Sequence, residues 1–242
     1  MIIIKLDAID STNDFLKNLY KNSVVENFTM VVANSQTNGK GQRGSTWTSE
    51  AGKNIIMSVL LKDLIVNSEQ IFDLNVIVSL SVFQVLKSSN LSNLSIKWPN
   101  DIMSDSKKIG GILIENIFKT DNTIVSIVGI GINVNQTDFS LLPKASSIKN
   151  SIGTSMDIDL LANAIRNKLY QNMEIMTTNS SLFWKMYEEN LFKLNIPMVF
   201  EDIKKKRFMA IIKGVSSNGK LQLLLEDDST VEYDIKEIQM LY

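Results

Sequence analysis

Among the 242 residues there is neither a cysteine nor a histidine. That double absence constrains the fold before anything else does. No disulfide can staple the chain and no Cys/His zinc site can nucleate it, so apolar burial must hold it together. Hydrophobic residues make up 44% and charged residues 21%, an ordinary globular balance for that task. The length allows one large domain, or a large one with a small one. The same two zeros exclude Ser–His and Cys–His nucleophilic catalysis. Chemistry is left to Lys, Arg, Asp, Glu, Asn, Gln, backbone N–H groups and a bound metal.

With 25 basic and 26 acidic side chains the net charge is −1, which argues against a general nucleic-acid binder. The run Lys204-Lys205-Lys206-Arg207 reads as solvated surface. Three isoleucines after Met1 are too few for a signal peptide. The longest apolar-rich stretches, 74–86 and 123–139, are interrupted by Ser, Gly or Asn and fall short of the roughly 20 residues of a membrane span. Composition therefore predicts a cytoplasmic protein that uses neither DNA nor a membrane.

Patterning supplies the architecture. Residues 2–9 read as a strand, and 13–20 as a helix behind the capping chemistry of Asp10, Ser11 and Thr12. A strand at 29–33 is followed by a polar, glycine-rich run, 34–54, too long for a simple connector and expected to be mobile when empty. Strand character returns at 55–61, a buried helix is predicted at 69–87, and a short strand at 95–98 stops at Pro99. Two apolar strands, 109–118 and 123–134, meet at a turn near 120–122, and helical periodicity resumes at 158–176 and 182–191. After Pro197 come short strands at 198–203, 207–213, 220–225 and 230–235. The pattern predicts an α+β fold, with a mixed β-sheet backed by helices over 1–193 and a small β domain over 194–242.

Two glycine motifs invite familiar labels. Gly39-Lys40-Gly41-Gln42-Arg43-Gly44 matches G-x-G-x-x-G, but no helical period follows, so a dinucleotide fingerprint fails on context. Kinase catalytic signatures are absent. The segment 214–220 resembles a phosphate-binding P-loop, yet lacks Ser or Thr after its lysine and lies between strands, so it is read as a hairpin turn. The first loop keeps its physics without the label. Its glycines let backbone N–H groups approach an anion, and Lys40 and Arg43 add charge.

Four other segments carry more polar punctuation than a fold needs. They are Ser11-Thr12-Asn13, Lys97-Trp98-Pro99-Asn100-Asp101, Lys107-Lys108-Ile109-Gly110-Gly111, and Gly129-Ile130-Gly131-Ile132-Asn133, with glycines inside an apolar strand. Taken in order with Gln36, the 39–44 loop and Trp47, these segments resemble the biotin protein ligases. KWPND followed by K-x-G-G-I-L-x-E, ending at Glu115, is the most specific part. The resemblance implies a class II synthetase-like catalytic domain and a C-terminal SH3-like β-barrel. It implies ATP-dependent activation of biotin to biotinyl-5′-AMP, then transfer to one lysine of a biotin carboxyl carrier protein, as in acetyl-CoA carboxylase. ATP with Mg²⁺ is the implied cosubstrate, and the protein is a monomer or a homodimer.

By the same resemblance, Ser11, Thr12, Asn13 and Gln36 bind the ureido ring, beside Gly39, Lys40, Gly41 and Gln42, and Trp47 packs against the ligand. Lys108 is the principal catalytic cation, assisted by Arg43. Gly111, Gly129, Gly131 and Ile132 shape the wall around the valeryl tail. Lys40, Arg43, Trp47, Lys97, Asn100, Asp101, Lys108 and Asn133 border the adenylate, with magnesium held by ATP near Asn133. Many members carry Arg where this chain has Gln42; either Arg43 and Lys40 share that phosphate role, which is the preferred reading, or the intermediate is held less tightly. Only ten residues precede Ser11, so the monofunctional type without a DNA-binding domain is expected. The rivals are a lipoate protein ligase and a non-catalytic biotin- or nucleotide-sensing module. The ureido-type set counts against the first, and Lys108 against the second.

Overall fold

The computed structural model describes residues 1–62, 71–120, 123–176 and 179–242, and of Arg43 the backbone only. The expected turn at 120–122 and the first residues of the helix expected at 69 therefore lie partly outside the described residues. The main sheet contains β1 (Ile3–Ile9), β2 (Met30–Gln36), β3 (Asn54–Lys62), β4 (Ser95–Lys97), β5 (Asp101–Ser104), β6 (Lys107–Phe118) and β7 (Ile124–Asn133). Their spatial order is β1-β2-β3-β7-β6-β5-β4. β1 and β2 are parallel, with α1 (Thr12–Asn22) as the crossover, and the other pairs are antiparallel. The sheet is thus mixed and helix-backed, as the patterning predicts.

The two faces of this sheet have different jobs, and the period of two divides them. Along β3, Ile55, Met57, Val59 and Leu61 point into the main core, and along β7 Val128, Ile130 and Ile132 do the same. That face is covered by α2 (Ile71–Leu86), α4 (Ile158–Met176) and α5 (Ser180–Glu189). α2 with its 3-10 extension, 71–89, is long and apolar enough by composition to cross a membrane. Here it is the core helix, with Leu74, Val76, Val78, Leu80 and Val82 almost fully buried. On the opposite face α1 buries Leu16 against Val31, Leu60, Val125 and Ile127, and this smaller cluster covers only part of the sheet. The uncovered part of that face is where Ser58, Gly129 and Gly131 stand.

Beyond α5 the chain forms a second sheet, all antiparallel, from β8 (Pro197–Asp202), β9 (Arg207–Val215), β10 (Leu221–Leu225), β11 (Thr230–Tyr233) and β12 (Ile238–Leu241). Its order, β11-β10-β9-β8-β12, and a register shift at Gln222/Leu223 curl it into an SH3-like β unit. Three elements were not legible in the patterning: β5, α3 (Ile148–Ile152) and β12, each only four or five residues long. Elements that short are fixed by their neighbours more than by their own period.

Candidate active site

Ser11 sits between β1 and α1 as the N-cap, accepting from the Asp14 N–H at 3.3 Å. Capping places the next two residues at the sheet surface, where Thr12 and Asn13 are buried. The Thr12 N–H and hydroxyl both donate to Gln36 Oε1, at 2.7 and 3.0 Å. The Ser58 hydroxyl lies 2.8 Å from Thr12 Oγ1 and 2.6 Å from Asn13 Oδ1. Asn13 Nδ2 in turn donates to Glu115 at 2.8 Å. One end of the cleft is therefore a largely buried hydrogen-bonding pole of uncharged side chains, with the Glu115 carboxylate behind Asn13.

The floor is made of glycine. Gly129 and Gly131 occupy the β7 positions on the α1 side of the sheet, under Asn13 and Trp47. A β-carbon on Gly131 would stand 2.5 Å from Trp47 Cε2, so the indole rests directly on the backbone there. The glycine-rich run that carries Trp47 folds into a closed tongue. Lys40 and Thr46 form a β-bridge, Gly41 N–H donates to Ser45 O at 2.7 Å, and Trp47 N–H donates to Gly39 O at 2.9 Å. A 3-10 turn at Gln42–Gly44 closes its tip, not the helix a dinucleotide loop requires. Lys40 Nζ pairs with Asp14 at 2.6 Å, and that hydrogen-bonded carboxylate raises the lysine pKa against the opposing effect of burial.

The other end is cationic. β4 and β5 form a hairpin in which Lys97 faces Asp101 in register. Asp101 accepts Lys108 Nζ at 2.6 Å and has Lys97 Nζ at 3.8 Å. Lys108 Nζ also lies 5.8 Å from the Trp47 ring centroid. Behind this group the segment 144–146 is tied to β6, with Lys108 N–H donating to Lys144 O and Ser146 N–H to Lys108 O. That brings Lys144 Nζ to 4.6 Å, and Lys97 Nζ to 5.3 Å, from the ring centroid of Tyr242. Burial, then the Asp101 charge, raise the Tyr242 phenol, and Lys108 partly offsets them.

Ser11, Thr12, Asn13, Gln36, Lys40, Gly41, Gln42, Trp47, Asn100, Asp101, Lys108, Gly111, Gly129 and Gly131 all line one cavity of about 230 Å³. The remaining residues singled out from the sequence stand elsewhere. Gly39 supports the base of the tongue, and Lys97 flanks Asp101 outside the lining. Ile132 turns into the main core, and Asn133 is buried, donating to Ser146 O at 2.9 Å. The side chain of Arg43 lies outside the described residues. Sequence reasoning missed Ser58, Lys144 and Tyr242. Only Ser58 carried a signal, as a polar residue in the middle of a strand that is otherwise continuously apolar.

The model for the Biotin/lipoate A/B protein ligase family matches residues 6–135. The bifunctional ligase/repressor BirA of Bacillus subtilis is 35% identical over 159 residues, 64% of this chain and 48% of that protein. BirA of Escherichia coli is 25% identical over 232 residues, 94% of this chain and 70% of that protein. The chain thus spans about half the length of the Bacillus relative. Among solved structures, the Aquifex aeolicus biotin protein ligase in complex with biotin and ATP superposes with a TM-score of 0.81 at 24% identity, covering 99% of this chain and 98% of that one. The Leishmania major biotin protein ligase in complex with biotinyl-5-AMP gives 0.67 at 25% identity, covering 97% and 99%. With more than half of its length matched and the fold shared end to end, this chain belongs to the Biotin/lipoate A/B protein ligase family.

Proposed function

We propose that the protein is a biotin protein ligase, which forms biotinyl-5′-AMP from biotin and ATP and passes the biotinyl group to a lysine of a carrier protein. The observation that carries this reading is the polarity of a single cleft. A neutral pole of Thr12, Asn13 and Gln36, braced by Ser58, closes one end, and Lys108 stands at the other. A neutral cyclic urea has donors and acceptors to match that pole. A dithiolane ring offers that pole no donor and only weak sulfur acceptors. Between the ends, Trp47 on its glycine floor suits an aliphatic chain.

In the first step a carboxylate oxygen of biotin attacks the α-phosphorus of ATP, and the bond to the leaving pyrophosphate breaks. Lys108 at the carboxylate and Lys40 on the tongue neutralise charge that builds on the α-phosphoryl oxygens. Lys97, Asn100 and Asp101 border the nucleotide, and Asp101 keeps Lys108 aimed. In the second step the amine of the acceptor lysine attacks the acyl carbon, AMP leaves, and the amine proton passes to solvent. Magnesium, when bound to the triphosphate, supplies charge neutralisation. Among the described residues no group of three His, Cys, Asp or Glu side chains gathers to hold a metal; ATP would hold the ion, and Asp101 is the carboxylate that lines the cleft beside it. We read residues 1–193 as the unit that carries this chemistry and 194–242 as a second unit packed on it, with the cytoplasm as the compartment.

The test is biotin-dependent exchange of pyrophosphate into ATP, with lipoate in parallel. Stimulation by biotin and not by lipoate is the expected result, and the reverse overturns the substrate. Lys108→Ala should cut the exchange rate by about 10²–10³, the usual loss when one charge-stabilising group is removed. An unaltered rate removes Lys108 from the mechanism.

A further inference from the structure

The turn that joins β4 to β5 holds Lys97 and Asp101 at its two ends, and it is gripped from behind at two consecutive residues. The carbonyl of Pro99 accepts two hydrogen bonds, from Asn75 Nδ2 on α2 at 2.7 Å and from the Tyr187 hydroxyl on α5 at 3.1 Å. Trp98 donates its indole N–H to the carbonyl of Gly219 at 2.9 Å. Gly219 belongs to the β9–β10 hairpin, the segment whose sequence mimics a P-loop. Its φ of +81° is a left-handed conformation, and a β-carbon there would collide with the ring of Phe72 on α2. Phe72 packs against Trp184 and Tyr187, with ring centroids 5.8 and 6.1 Å apart. The outer edge of β4 is also tied to the entry into the second sheet, with Ile96 N–H donating to Asn190 O and Phe192 N–H to Ile96 O. None of Asn75, Trp98, Tyr187 and Gly219 lines the cleft.

We infer that the C-terminal β unit acts on the nucleotide end of the cleft through the Gly219–Trp98 contact, and that Trp98, Asn75 and Tyr187 are positioning residues for Lys97 and Asp101. The inference rests on the ligase reading above and deepens it. Asp101 is the hub that orients Lys108, so a shift of the turn that carries it moves the cations and not the uncharged pole, which is built on α1, β2 and β3. The uncharged pole that holds the biotin ring stays in place, so a defect in the grip falls more heavily on KM for ATP than on KM for biotin. A role limited to folding would weaken both alike.

The experiment measures KM for ATP and for biotin by pyrophosphate exchange in the full chain. Trp98→Phe keeps the ring and removes the N–H. It should raise KM for ATP about 5-fold, the equivalent of one hydrogen bond, and leave KM for biotin within about twofold. Gly219→Ala should reproduce the ATP defect, and the double variant should be no worse than the more affected single one, because both break the same contact. Tyr187→Phe, which leaves Asn75 on the Pro99 carbonyl, should give a smaller shift of the same kind, and thermal melting checks that each variant is folded. Unchanged KM values, or equal increases for both substrates, overturn the inference while wild-type exchange upholds the ligase reading. Absence of biotin-dependent exchange in the wild type removes that reading and this inference together.

Discussion

A side chain on Gly131 would have to occupy space already filled by the Trp47 indole, whose Cε2 and Cζ2 lie 2.5 and 2.7 Å from where a β-carbon would be. Gly131→Ala must push the indole off the floor. Overpacking of this kind costs about 1–3 kcal/mol, so biotin affinity in calorimetric titration should fall about tenfold. The loss should vanish in a Trp47→Ala background, where the three atoms nearest the added methyl are gone; fully additive effects would show that the indole is not what the glycine makes room for. The glycines inside β7 could be read from sequence, because an apolar strand has a local reason to avoid them. Ser58 was half legible, as a hydroxyl in a strand with no exposed face. Lys144 was not legible at all. It looks like any loop lysine until 144–146 pairs with β6 and carries it to Tyr242, almost a hundred residues further along.

At the scale of elements, α2 shows how a buried helix can carry a local penalty. Asp73 lies in its first turn, where negative charge is favoured, and accepts the Trp184 indole N–H at 2.7 Å. Burial nevertheless raises its pKa above the ordinary 3.8, and the Trp184 hydrogen bond only partly offsets that. A carboxyl whose pKa rises on folding favours the folded state while it is protonated. Its contribution is full below its ordinary pKa and is lost as the pH climbs through the raised value. Asp73→Asn keeps an acceptor for Trp184 and removes the buried charge. Its melting temperature should exceed that of the wild type at pH 7, and the difference should close near pH 3.5. A gain that persists undiminished in acid would mean that the charge is not the cause. The long elements were legible because their periods are long. β5 was not: four residues after a proline turn hold no period, and it is a strand only because Lys97 and Asp101 face each other and β6 lies alongside.

Among the described residues, two sheets share one continuous main core. Phe200, Ala210, Ile212, Val215, Leu221, Leu223 and Met240 of the C-terminal unit belong to the same buried cluster as α2, α4 and the inner face of the seven-stranded sheet. Phe192 and Tyr242 pack edge to face at 5.2 Å across the junction, and Leu191 and Phe192 are themselves buried. Units joined by a short, exposed linker melt separately and move against each other by default. Units that share a core lose most of their contacts together. The texture change at Pro197 marks where strand chemistry takes over, but composition carries no information on how firmly the second unit is docked. Docking is set by pairings such as Trp98 with Gly219, whose partners lie 121 positions apart. Differential scanning calorimetry of the full chain should therefore show a single transition with equal calorimetric and van't Hoff enthalpies. Phe192→Ala, at the junction, should lower it as one peak, with a cost of about 3–5 kcal/mol for a large buried aromatic. Two resolved transitions, with only the smaller one moved by that substitution, would mean that the C-terminal unit is an independent domain. The grip on the β4–β5 turn would then be something it can release.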